Sequence, residues 1–200
     1  MGVQKNGEWL FDWPVDAPHK LTRGFVNDGN GLDIVTDTVQ TSGLKPIYAA
    51  EAGQIDQLQY WDGKTLTGMQ SYGNMTRINH GIYDGGVLQS RYAHMYKVLV
   101  KNGQNVYRGQ IIGYMGSTGN STGQHLHFEV IWKGKRYNPL NWLDSDFVNK
   151  YASVANGAYK SVVRDSVVNL YYLNAGPLSA GDFKTVTELL KKLGINYTTK

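Results

Sequence analysis

The chain has no cysteine. Disulfides, thiolate metal ligands and a cysteine nucleophile are therefore excluded, and any metal site must draw on His, Asp or Glu. No apolar run approaches the roughly 20 residues that span a bilayer, so no membrane span is expected. The first residues, Met1 to Lys5, lack the apolar core of a signal peptide. The chain is thus expected to be cytoplasmic, exported by another route, or cut from a longer protein. Charged residues are sparse, 18% against 41% hydrophobic, which argues against a disordered chain. Two hundred residues suffice for one sizeable core, or one domain with a small partner.

Glycine and aromatics are abundant: 24 Gly, 14 Tyr and 5 Trp. Turn formers mixed with β-branched and aromatic residues favour sheet over helix bundle. Strands are expected over 32–35, 46–50, 53–60, 75–79, 87–93, 110–115 and 125–132. Asp84-Gly85 between two of these is a hairpin turn signal. In the last strand Leu126, Phe128, Val130 and Trp132 alternate with His125, His127 and Glu129, which gives one apolar and one polar face. The lead-in, with Trp9, Leu10 and Phe11, is expected to pack on the body, and His80 to end a strand at a turn. Beyond 143 the pattern changes: a linker or short helix over 144–158, then a strand–helix–strand module over 159–200 closed by Gly194 after the helical run. The expected fold class is mainly β, an antiparallel sheet with a groove, plus that small C-terminal α+β module.

The net charge of +4 is uneven. Residues 151–200 hold 6 Lys and Arg against 3 Asp and Glu, and the body is nearly neutral. That tail suits an anionic partner such as a wall polymer. No aromatic and basic array of the RNA-binding kind is present, so nucleic acid is not an expected partner.

His125 and His127 stand two apart in a strand, so both imidazoles project from one face, roughly 6–7 Å apart. Two surface histidines would be the plain reading of such a pair alone. The surrounding residues say more. Residues 116–130, GSTGNSTGQHLHFEV, resemble the signature segment of the lysostaphin/LytM-like zinc endopeptidases. So does 91–95, RYAHM, and 100–113 resembles the family's connecting hairpin. Residues 138–140, and 31–34 with 46–49, look like its closing and first-ligand regions. The resemblance runs from about 13 to 143, the expected peptidase domain.

The resemblance implies a groove holding one Zn2+, with Asp33 and His127 as ligands and His94 and His125 as catalytic groups. It implies hydrolysis of peptide bonds in bacterial peptidoglycan by metal-activated water. It also implies an extracellular or envelope location, and the tail-like C-terminal module suggests a phage tail or lysin protein with other tail proteins as partners. One departure matters. The family pattern puts a His four residues before the Asp, and here that residue is Gly29. Asp28 in the same loop is the first candidate substitute ligand, and His19, fourteen residues before Asp33, the second. A catalytically silent binding module is the alternative. Tyr60, Trp61 and Tyr72 are candidates to line the groove and stack on substrate. Ser117 and Ser121 lack a triad context.

Overall fold

The computed structural model describes residues 3–5, 8–25, 30–40 and 42–143, all within the first of the chain's two compact units, Met1–Gly157. Asp28, Gly29, the 144–158 linker and the 159–200 module lie outside the described residues.

Short strands β1 (Gln4–Lys5) and β2 (Glu8–Trp9) pair as a hairpin. The body follows as β3 (His19–Arg23), β4 (Leu32–Thr36), β5 (Pro46–Tyr48), β6 (Gly53–Gln59), β7 (Asn74–Tyr83), β8 (Gly86–Val98), β9 (Asn105–Val106), β10 (Ile111–Met115), β11 (Leu126–Trp132) and β12 (Lys135–Tyr137). They form one antiparallel sheet in the order β3-β4-β11-β8-β7-β6-β9, with β10 bonded to β5 and β8, and β12 to β11. The mainly antiparallel class expected from the sequence is what is found. The turn between β7 and β8 has Asp84 at φ 42° and Gly85 at φ 70°, the two consecutive positive values that match a two-residue hairpin to the strand twist.

The apolar side of the sheet buries Leu32 and Ile34 of β4, Ile55, Ile78, Tyr92 and Phe128. Phe11 of the lead-in is fully buried among them, as expected, and bridges to Leu143. The opposite face of β11 is also buried, because His127 and Glu129 find charged partners on their neighbours instead of water.

His80 does not end its strand at a turn. It lies inside β7, which continues to Tyr83. Its Nδ1 donates to the Ala52 carbonyl at 2.8 Å, and its Nε2 lies 2.8 Å from Ser90 Oγ. Burial of the ring lowers its pKa to about 4, so it is a neutral side chain packed against Phe11 of the core.

Candidate active site

The site is built as a row across four strands. Arg23 of β3 is the direct partner of Asp33 of β4, Asp33 of His127 on β11, and His127 of Ala93 on β8. Directly opposed residues share a face with their Cβ atoms about 5 Å apart. Asp33 Oδ1 therefore meets His127 Nδ1 at 2.8 Å. Arg23 approaches Asp33 Oδ2 at 3.7 Å. His125, two residues before His127 on the same face, brings Nε2 to 3.7 Å from Asp33 Oδ1.

His94 enters from a bulge. Between the pairs Thr76–Tyr92 and Asn74–Met95, β8 carries one residue more than β7. His94 sits in that extra stretch at φ 57°, a left-handed conformation that turns its side chain off the regular pleat. The Met95 carbonyl is held by Asn74 Nδ2 at 3.0 Å and Thr118 Oγ1 at 2.9 Å. His94 Nδ1 donates to the Thr118 carbonyl at 2.8 Å, which leaves Nε2 for the site. The His94 ring lies 4.7 Å from that of His125 and 5.8 Å from that of His127. His125 is oriented in the same way, Nδ1 donating to the Gly123 carbonyl at 2.8 Å. In each ring the loop backbone fixes the proton on Nδ1 and points the other nitrogen inward.

Charge is arranged unevenly. Burial works against the His127 cation, but hydrogen bonds to Asp33 and Glu129 outweigh it and hold the pKa up at about 9. Burial likewise tends to raise Asp33, yet His127, His125 and Arg23 keep it below the usual carboxylate range. His94 goes the other way, pushed down to about 4 chiefly by burial. Glu129, completely buried, accepts from Arg91 at 2.8 Å, from Arg136 Nε at 3.1 Å and from Tyr72 OH at 2.9 Å. It also lies 3.3 Å from His127 Nε2, so it supports that ring from behind.

Asp33, His94, His125 and His127 are thus brought together. Tyr72 is also near, its ring 6.0 Å from His127 and its hydroxyl committed to Glu129. His19 is not brought to the site. It pairs with Thr36, three positions along β4 from Asp33, and stacks on Trp13 at 4.1 Å. Tyr60 is exposed, and Trp61 is tied by Nε1 to the Thr65 carbonyl in its own loop. Sequence reading assigned no role to Glu129, Arg91, Arg136 or Thr118. The available signal was Glu129 sharing the His125–His127 face of β11.

A zinc ion with bonds of about 2.0–2.2 Å separates two of its donors by roughly 3.3 Å. Asp33 Oδ1 and His127 Nδ1 fit that donor chemistry, but at 2.8 Å they share a hydrogen bond and stand closer than two zinc-bound donors would. Among the described residues no group of three His, Asp or Glu side chains could hold a metal.

An antiparallel sheet on which Asp33 converges with His94, His125 and His127 is the frame of a peptidase-type domain. The chain belongs to Peptidase family M23, whose model matches residues 28–139. It is 47% identical over 149 residues to the peptidoglycan DD-endopeptidase ShyA of Vibrio cholerae, covering 68% of this chain and 31% of that protein. It is 37% identical over 132 residues to the murein hydrolase activator NlpD of Escherichia coli, covering 66% and 30%. A solved zinc-containing peptidase from Vibrio cholerae superposes with a TM-score of 0.51 at 30% identity, covering 64% of this chain and 39% of that one. The chain spans about a third of the length of the curated relatives it matches.

Proposed function

We propose that the chain hydrolyses peptide bonds of bacterial peptidoglycan in the cell envelope. The observation that carries this reading is the convergence of Asp33, His127, His125 and His94 on one spot of the sheet. Identity with a peptidoglycan endopeptidase supports the substrate class. Asp33 and His127 would hold a zinc ion, with Asp28 of the preceding loop as third ligand. Zinc, when bound, activates water near neutral pH and polarises a carbonyl. His94 stays uncharged at neutral pH and offers Nε2 to take a proton. His125, with Nε2 beside Asp33, is placed to stabilise charge developing on the scissile carbonyl once that nitrogen carries a proton.

Gly29 favours a second reading, a catalytically silent wall-binding relative, because it has no side chain where the family pattern puts a His. Zinc per chain after dialysis, and fragments released from purified peptidoglycan, separate the two. Near one zinc per chain with release supports the hydrolase. No retained zinc and no release, with added zinc restoring neither, would leave the silent module. Wall anchoring by 159–200 is proposed from its charge. Unchanged wall pull-down after its deletion would dispose of that role.

A further inference from the structure

One row along the sheet from the Asp33–His127 pair, the same face carries positive charge that the hydrolytic reading leaves unused. Glu129, Arg91 and Arg77 follow one another across β11, β8 and β7 as direct cross-strand partners. A cleft of about 490 Å³ opens over them, lined by Arg77, Gln89, Arg91, Ile131, Lys135 and Arg136 among others. Its lining holds four cations and no carboxylate. Two carboxylates reach these cations from beside the cleft. Asp56 binds Arg77 at 2.8 and 3.1 Å, and Glu129 takes both Arg91 and Arg136. Two cationic charges are left over.

One detail shows that this surplus is not simply a solvated face. Arg77 and Arg91 stand directly opposite each other, each held by a carboxylate of its own, yet Arg91 keeps a donor unused. Arg91 is 7% exposed and packs on the Tyr72 ring at 4.8 Å. Its Nη1 bonds Glu129, while its Nε is buried with no hydrogen-bond partner among the described residues. A buried guanidinium with an unused donor is costly, and a small shift of the side chain toward the cleft it lines would let an arriving oxyanion with planar, paired oxygens take it up.

We propose that this cleft is a carboxylate-binding subsite that takes a free carboxylate of the substrate peptide. The inference rests on the reading of the Asp33–His127 centre as the place where a wall peptide lies. Glu129 is two residues beyond His127, about 6.6 Å along β11, and Arg91 lies beside it. An extended peptide advances about 3.3 Å per residue. The bound carboxylate therefore belongs to a residue two to three positions from the bond at the centre. The site thereby selects acidic stem peptides over neutral bridges.

The test is calorimetric titration of the full chain with a synthetic tetrapeptide of alanine, glutamate, lysine and alanine, carboxylates free, against the same peptide fully amidated. Amidation should weaken binding about tenfold or more, as expected for loss of a charge-assisted, paired contact. Lys135→Ala and Arg91→Lys should each shrink that ratio severalfold. Arg91→Lys keeps the charge against Glu129 and removes the fork. Lys135 is exposed, so its variant serves if the other fails to fold. Equal affinity for the two peptides, or an unchanged ratio in Lys135→Ala, overturns the proposal. So does displacement of the free peptide by inorganic phosphate at matched ionic strength, which would assign the cleft to phosphate groups of wall polymers. Binding is read without turnover. Selective binding without fragment release removes the hydrolase reading alone, and release without selectivity removes this inference alone.

Discussion

His127 and His94 face the same spot, yet opposite surroundings set their charge. His127 lies between Asp33 and Glu129 and is held as a cation, whereas His94 touches a carbonyl and other imidazoles and stays neutral. Glu129 is the keystone of this contrast, since it faces His127, Arg91, Arg136 and Tyr72 without touching water. Glu129→Gln keeps the shape and removes the charge, leaving Arg91 uncompensated. Breaking a buried pair in this way costs about 3–5 kcal/mol. The midpoint of urea unfolding should fall accordingly with an unchanged slope, and an unchanged midpoint would contradict the burial described. His80 supplies a pH dependence. Its folded pKa of about 4 lies below its ordinary 6.5. Between those values the unfolded chain binds a proton that the folded one does not, so stability rises with pH and is lost on acidification. The loss reaches on the order of 3 kcal/mol across the window. His94, also near 4, adds in the same direction. His127 acts oppositely, its contribution full below 6.5 and lost as pH rises through about 9. Melting temperatures of His80→Gln should therefore fall less between pH 6.5 and 4 than those of the unaltered chain. Parallel curves would place the acid sensitivity elsewhere.

At the scale of elements, the site depends on a loop docked against a short 3-10 turn. Residues 117–123 lie on Gly68–Tyr72, with Asn120 N donating to the Ser71 carbonyl and Asn74 N to Thr118 Oγ1. Gly73 closes that contact at φ 66°, and a Cβ there would stand 2.3 Å from the Thr118 oxygen that orients His94. Gly73→Ala combines backbone strain with a clash against backbone, and should cost roughly 2–3 kcal/mol. It should also loosen the His94 Nδ1–H, read as faster exchange of that proton in NMR; unchanged exchange would show that the loop is not what orients the ring. The strands themselves were legible where alternation survives, as in β11 and in Leu32-Asp33-Ile34 of β4. The ends of β7 and β8 were not, because Gly81 interrupts one pattern and the bulge at His94 shifts the other. β3 is mostly exposed and polar, so its residue pattern alone does not announce a strand. The His125–His127 pair could be seen within a single strand. The Glu129–Arg91–Arg77 row could not, since cross-strand register is a tertiary property.

The whole body is closed by its two ends. Val3 N donates to the Asn141 carbonyl, and Phe11 N to that of Trp142 at 3.0 Å, so the lead-in is clamped to the segment after β12. Phe11 is the core of the clamp. Its fully buried ring lies 5.0 Å from His80, 6.0 Å from Trp142 and 6.5 Å from Phe128. Phe128 stands between His127 and Glu129 on β11, so packing behind the sheet sets the height of the strand that carries the site. Phe11→Ala opens a cavity under β11 and should cost about 3–5 kcal/mol. Phe11→Leu fills most of that space and should lose about 1–1.5 kcal/mol. The two variants also separate support of the fold from support of the site. If Phe128 transmits the packing, Phe11→Ala weakens peptide binding at temperatures where the chain is still folded, and Phe11→Leu does so much less. Equal binding by both, measured well below either melting transition, would mean that the clamp holds the body together without positioning β11.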